Sequence, residues 1–283
     1  DDDPDWQVYF NLLRAFYKHH TMAIDIAGTV ESISKITKET LYKCYNTFYH
    51  PSNMAFVICG DVDPEQIGKV IADNQAAKDY ERQPDVERLM PEEGPEVNEA
   101  RVEKKMAVSI PKVQFGYKDL ASAGQTGQKM AETEYQTAIG LEAVIGKSSS
   151  LFNKLYEQGL VDKAFGWSYD VTPFYSHSLF GGKSKDPERL LEEVEQAFAE
   201  VVEQGITEAD FNRARNKMIG QVLAIYDSPR MLARYYTTYV TRQANVFDVI
   251  PILEAMTVEQ VNERLRAHIR PEYRAVSIVR PSE

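Results

Sequence analysis

Residues 37–60 read TKETLYKCYNTFYHPSNMAFVICG, and residues 257–280 read TVEQVNERLRAHIRPEYRAVSIVR. The two stretches align without a gap at an offset of 220. Thr37/Thr257, Glu39/Glu259, Pro51/Pro271, Ala55/Ala275 and Ile58/Ile278 are identical, while Leu41/Val261, Tyr45/Leu265, Tyr49/Ile269 and Phe56/Val276 are apolar in both. Self-similarity at a fixed offset marks a duplicated fold unit. Each copy reads alike: a threonine opens a helix, the helix stops before a proline, and a short apolar strand follows.

Working outward, Val30, Ile33 and Ile36 match Ile250, Leu253 and Met256 at the same offset. The helix begun by Asp3-Pro4-Asp5, with Trp6, Tyr9, Phe10, Leu13 and Phe16 on one face, resembles the helix that follows Pro229 at a slightly different offset. Residues 1–62 therefore correspond to the last part of the second unit. The second unit has roughly 120 further residues ahead of that point, so the first unit is expected to be truncated.

The remaining chain divides in order. A helix is expected at 64–80. Residues 81–100, ERQPDVERLMPEEGPEVNEA, are rich in proline and acid and read as a linker. Strands follow at 103–109, 112–118, 164–171, 174–182 and 272–280. Helices are expected at 128–145, 149–159, 187–204, 207–225, 229–243, 246–255 and 257–268. Strand pairs alternating with helical pairs predict an α+β fold: two related units of antiparallel sheet covered by helices, the first truncated. The expected boundaries are 1–80 for the end of the first unit, 81–102 for the linker and 103–283 for a complete second unit.

Hydrophobic content of 43% and charged content of 27% suit a globular chain. A net charge of −11 argues against nucleic acid or an anionic membrane as the main partner. No window approaches the roughly 18 apolar residues of a membrane-spanning helix. The two cysteines, Cys44 and Cys59, sit in apolar patterns and are expected to be buried thiols.

The segment Tyr49-His50-Pro51-Ser52-Asn53-Met54, followed by Gly60-Asp61-Val62-Asp63, resembles the insulinase, pitrilysin and processing-peptidase family of zinc peptidases. Gly28-Thr29-Val30-Glu31-Ser32-Ile33 and the run from Ser150 to Val161, SLFNKLYEQGLV, fit the same pattern. The resemblance implies an α+β metallopeptidase unit that carries zinc on an inverted His-x-x-Glu-His motif, and a second unit without metal that helps enclose the peptide. None of the five histidines here has a glutamate at that spacing. By resemblance, both the zinc motif and its distal glutamate belong upstream of residue 1. Zinc is thus expected in the intact protein and not in this fragment, and no catalytic or metal residue is assigned.

Three residues are candidates for binding substrate. Family members often place an arginine and a tyrosine of the second unit near the scissile carbonyl, and the matching positions here are Tyr156 and Trp167. Tyr156 supplies a hydroxyl and no guanidinium. Packing is the alternative reading for both. His177 lies in an expected strand whose face turns toward a substrate chamber. The resemblance implies a zinc-dependent endopeptidase whose non-zinc part is this chain, acting on peptides bound by strand addition. A non-catalytic homologue that serves as binding or scaffold partner of an active subunit is the alternative. The resemblance also implies a homo- or hetero-dimer with a related subunit and a cytoplasmic location.

Overall fold

A computed structural model describes residues 2–78, 80–119 and 124–282. The first helices are α1 (Pro4–Phe16), α2 (Val30–Ser34), α3 (Lys38–Phe48) and α4 (Pro64–Ala76). After an irregular stretch come β1 (Arg101–Met106), β2 (Lys112–Asp119), α5 (Gly127–Ile145), α6 (Ser150–Glu157), β3 (Gly166–Val171) and β4 (Ser176–Lys183). The chain continues with α7 (Pro187–Gln204), α8 (Glu208–Tyr226), α9 (Pro229–Thr241), α10 (Val249–Ala255), α11 (Val258–His268) and β5 (Arg274–Pro281).

Helix starts follow local chemistry. Asp3, Thr37, Asp63, Asp186, Thr207, Ser228 and Thr257 each accept a hydrogen bond from a first-turn backbone N–H. Helices α1, α4, α7 and α9 add a proline in the first turn, where the absent N–H costs nothing.

The five strands form one sheet in the order β1-β5-β2-β4-β3. Three pairings are antiparallel, as expected, but β1 runs parallel to β5. The sheet is therefore mixed. Pro111 does not turn a hairpin between β1 and β2, because β5 inserts between them. The expected linker end at 102 falls inside β1, which starts at Arg101.

Successive side chains on a strand point to opposite faces, and each face of this sheet has its own cover. Val113, Phe115, Tyr117, Phe180, Val276 and Ile278 face the main core under helices α5 to α11. On the other face Leu179 and Ala275 pack against Phe10, Leu13 and Phe16 of α1. Helix α1 thus closes the sheet of the second unit, although by sequence it belongs to the first.

The repeat recurs in the structure. Helix α3 and the short turn Pro51–Asn53 match α11 and the turn Pro271–Tyr273 end to end, each 220 residues apart. Their environments differ. Ile33, Leu41 and Phe56 are 54%, 60% and 74% exposed, whereas Leu253, Val261 and Val276 are at most 3% exposed. Between residues 21 and 100, His50 alone among the described residues is buried. Two sequence expectations fail here. Residues 54–59 form no strand, because no other strand lies beside them among the described residues, and a ladder needs a partner. Cys44 is exposed and Cys59 half-exposed, both as free thiols, since the helix and segment that carry them bury no face.

Candidate functional site

Strand β3 forms one end of the sheet and pairs only with β4 among the described residues. Its other side borders a cleft of about 570 Å³ walled by α5, α8 and α9. Trp167 and Tyr169, two residues apart, project into the cleft from β3; Tyr135 of α5 and Tyr235 and Tyr239 of α9 face them. Glu134, Asp170 and Arg242 supply the charge.

Arg242 organises that charge. Its Nη1 donates to Glu134 Oε2 at 2.8 Å and its Nη2 to the carbonyl of Val171 at 3.0 Å. The second bond fastens the end of α9 to the end of β3. Burial pushes the carboxyls of Glu134 and Asp170 above their ordinary values, and Arg242 partly pulls both back. The phenols of Tyr135, Tyr169 and Tyr239 are raised by burial, so they stay neutral hydrogen-bonding groups. Tyr239 donates to the hydroxyl of Tyr135 at 3.3 Å. A cleft holding perturbed carboxyls beside an open strand edge is where binding chemistry concentrates.

Behind the cleft lies a buried polar network. Tyr169 donates its hydroxyl to Asp119 Oδ2 at 2.7 Å. Arg264 pairs with the same oxygen, and its Nε donates to Thr137 Oγ1 at 2.8 Å. His268 Nδ1 lies 3.3 Å from Asp119 Oδ2, and its Nε2 is 2.8 Å from Ser178 Oγ. Burial would raise the Asp119 carboxyl, but His268, Arg264 and Tyr169 outweigh it and hold the group well below the usual carboxylate range. Ser178, His268 and Asp119 follow one another in the order of a hydrolase triad. Ser178 is fully buried on an inner strand, however, and no substrate carbonyl has a path to it. The network is structural and anchors the ring of Tyr169.

The three candidate residues fall in different places. Trp167 lines the cleft. Tyr156 lies on α6, exposed and stacked on Phe152 with ring centres 6.2 Å apart. His177 is fully buried on the opposite sheet face, where its Nδ1 is 2.8 Å from the hydroxyl of Tyr17. Glu134, Tyr239 and Arg242 escaped sequence reasoning, because they converge from helices with no shared motif.

Among the described residues no three His, Cys, Asp or Glu side chains gather to hold a metal ion. Adjacent His19 and His20 do not converge: His19 is exposed and His20 is buried. The described residues do not fit a zinc ion, and no hydrolytic step is assigned to them.

The peptidase M16 inactive domain matches residues 35–218. The chain is 38% identical over 281 residues to an uncharacterized zinc protease, YmfH, of Bacillus subtilis, and covers 99% of this chain but 65% of that protein. A second uncharacterized zinc protease of that organism, YmxG, is 22% identical. A crystal structure of a protein from Alicyclobacillus acidocaldarius described as an M16-like peptidase superposes with a TM-score of 0.95 at 41% identity, over 99% of this chain and 67% of that one. A protease from Helicobacter pylori shares the fold, with a TM-score of 0.86 at 16% identity.

Proposed function

The chain belongs to the family of peptidase M16 inactive domains, and on that premise we propose that it is the peptide-holding part of a longer zinc peptidase. It binds an extended peptide as an added strand along the open edge of β3. The zinc ion and the group that activates water belong to another part of the longer protein. One observation carries this reading: β3 has a partner on one side only, and its other side opens onto the cleft. Such an edge offers backbone N–H and C=O groups at strand spacing, which is how added strands are bound.

Fluorescein-labelled decapeptides of random sequence test this by anisotropy. Binding is expected, together with its loss in Trp167→Pro, which removes an N–H on the side of β3 that faces away from β4. Peptides N-methylated at alternate residues should also fail, with the protein untouched. Equal binding of methylated and unmethylated peptides would rule out strand addition.

The longer protein is also proposed to complete the first unit. The apolar residues of α2, α3 and 54–59 are exposed here, while their counterparts 220 residues on are buried. In the longer protein this face is covered by further strands and helices of its own unit. Amide exchange across 30–59 should be markedly slower in the longer protein than in this chain.

A second reading, a scaffold subunit paired with an active peptidase subunit, draws on Tyr156. It stands where active relatives are expected to carry an arginine, and it faces solvent away from the cleft. Peptide binding by the longer protein without any zinc-dependent cleavage would favour that reading.

A further inference from the structure

We propose that the cleft beside β3 is a specificity pocket for one neutral aromatic side chain of the bound peptide. The inference rests on the strand-addition reading and adds to it the class of residue that is selected. The register of β3 sets the direction. Trp167 and Tyr169 point into the cleft, while Ser168 between them is exposed on the other side. A strand added to this edge alternates in the same way. Its residue opposite Trp167 or Tyr169 lies about 5 Å from that neighbour and points into the same space. The next residue with this orientation is roughly 7 Å further along, so the cleft receives one side chain fully.

The walls select the chemistry. Trp167, Tyr135 and Tyr239 present ring surfaces from three elements. Aromatic rings prefer offset or edge contacts with other rings, beyond what buried area alone supplies. A volume of about 570 Å³ lies within the range of small-ligand sites and admits a ring.

Charge excludes the alternatives. Arg242 and Arg234 line the cleft, and the Asp170 carboxylate lies 3.7 Å from His177 Nε2. Glu134 is already bonded to Arg242, so a lysine or arginine side chain would meet a positive group in the cleft. An acidic side chain would find the guanidinium of Arg242 occupied by Glu134 and Val171. A neutral ring meets neither obstacle.

The test uses fluorescein-labelled decapeptides of Thr and Ser with Phe, Leu, Lys, Glu or Ala at one central position. The Phe peptide should bind the chain on the order of tenfold tighter than the Ala peptide. Lys and Glu should give no gain. Gln221→Trp, an exposed position on α8 at the cleft wall, should fill the space and reduce the Phe peptide to the affinity of the Ala peptide, which stays unchanged. Equal affinity for Phe and Ala, a preference for Lys, or a Phe preference that survives Gln221→Trp overturns the pocket. In each of those cases failure of the N-methylated peptides to bind would leave strand addition standing. Failure of every peptide to bind overturns strand addition, and the pocket with it.

Discussion

Lys118 donates its ammonium to Glu93 Oε1 at 2.6 Å; Lys118 is buried and Glu93 half-buried. Glu93 belongs to the irregular stretch between α4 and β1, and Lys118 to the middle of the sheet. The same carboxylate accepts backbone N–H bonds from Lys18, His19 and His20 at the end of α1. One side chain therefore ties the connecting segment to α1 and to β2. Removing Glu93 leaves a buried ammonium and three unpaired amides, while removing Lys118 leaves an anion still held by those amides. Glu93→Ala should cost about 3–5 kcal/mol and Lys118→Met clearly less. Urea unfolding of the two variants measures the asymmetry.

The same carboxylate makes stability depend on acidity. Burial would raise its pKa, but Lys118 and the three amides outweigh burial and lower it from 4.5 to about 2. A depressed carboxyl stabilises the fold above the unfolded value, and the stabilisation is lost as pH falls from about 4.5 toward 2. Glu93→Gln should flatten the urea midpoint across that window.

His177 adds a window at higher pH. Burial, with smaller contributions from nearby His268 and His20, lowers its pKa from 6.5 to about 3, against the pull of Asp119. The unfolded chain then takes up a proton that the folded one refuses, so stability declines as pH falls from about 6.5 to 3. His177→Phe should lessen this slope, leaving the part contributed by His268 and His20, whose pKa values burial also lowers. A urea midpoint that falls as steeply between pH 6.5 and 5 in the variant as in the parent would contradict it.

Gly140 on α5 lies against Leu265 of α11, and a β-carbon there would fall 2.6 Å from Leu265 Cδ2 and 2.8 Å from its Cγ. Alanine would gain about 1 kcal/mol of helix propensity. Forcing a buried leucine aside costs about 1–3 kcal/mol, so Gly140→Ala should be net destabilising. In Leu265→Ala the clash is gone, and adding Gly140→Ala should then be neutral or stabilising. A double-mutant cycle by thermal denaturation reads the sign change.

The repeated positions give a paired test. Leu41→Ser alters an exposed side chain and should shift stability by no more than about 0.5 kcal/mol. Val261→Ser, at the equivalent buried position, should cost about 3 kcal/mol through lost burial and a stranded hydroxyl. Leu41→Ser should also lower self-association of the chain, measured by light scattering, because it removes an exposed apolar group.

Local chemistry made much of the fold legible. The caps at Thr207, Ser228 and Thr257 and the prolines at 187 and 229 mark helix starts, and β3, β4 and β5 fall within two residues of their expected starts. What a period of two cannot say is which strand lies beside which, and the parallel pairing of β1 with β5 depends on contacts some 175 residues apart. Residues 54–59 carry a strand pattern as good as that of β5, yet a pattern forms a strand only where a neighbour completes the ladder. The polar network did leave a trace. Arg264 and His268 fall on the buried stripe of α11 with Val261 and Leu265, and polar groups at stripe positions imply buried partners. The cleft left almost none. Trp167 lies in a recognisable segment, but Glu134 and Arg242 meet from 108 residues apart.

The position of β5 also sets a timetable. Residues 101–106 and 112–117 both pair with a strand that spans 274–281. During synthesis, at roughly 5–20 residues per second, β1 stays unpaired and β2 keeps one bare edge until that last strand emerges. The nascent sheet therefore exists as β2-β4-β3 alone, and it is in this interval that the chain is most open to pairing with the wrong neighbour.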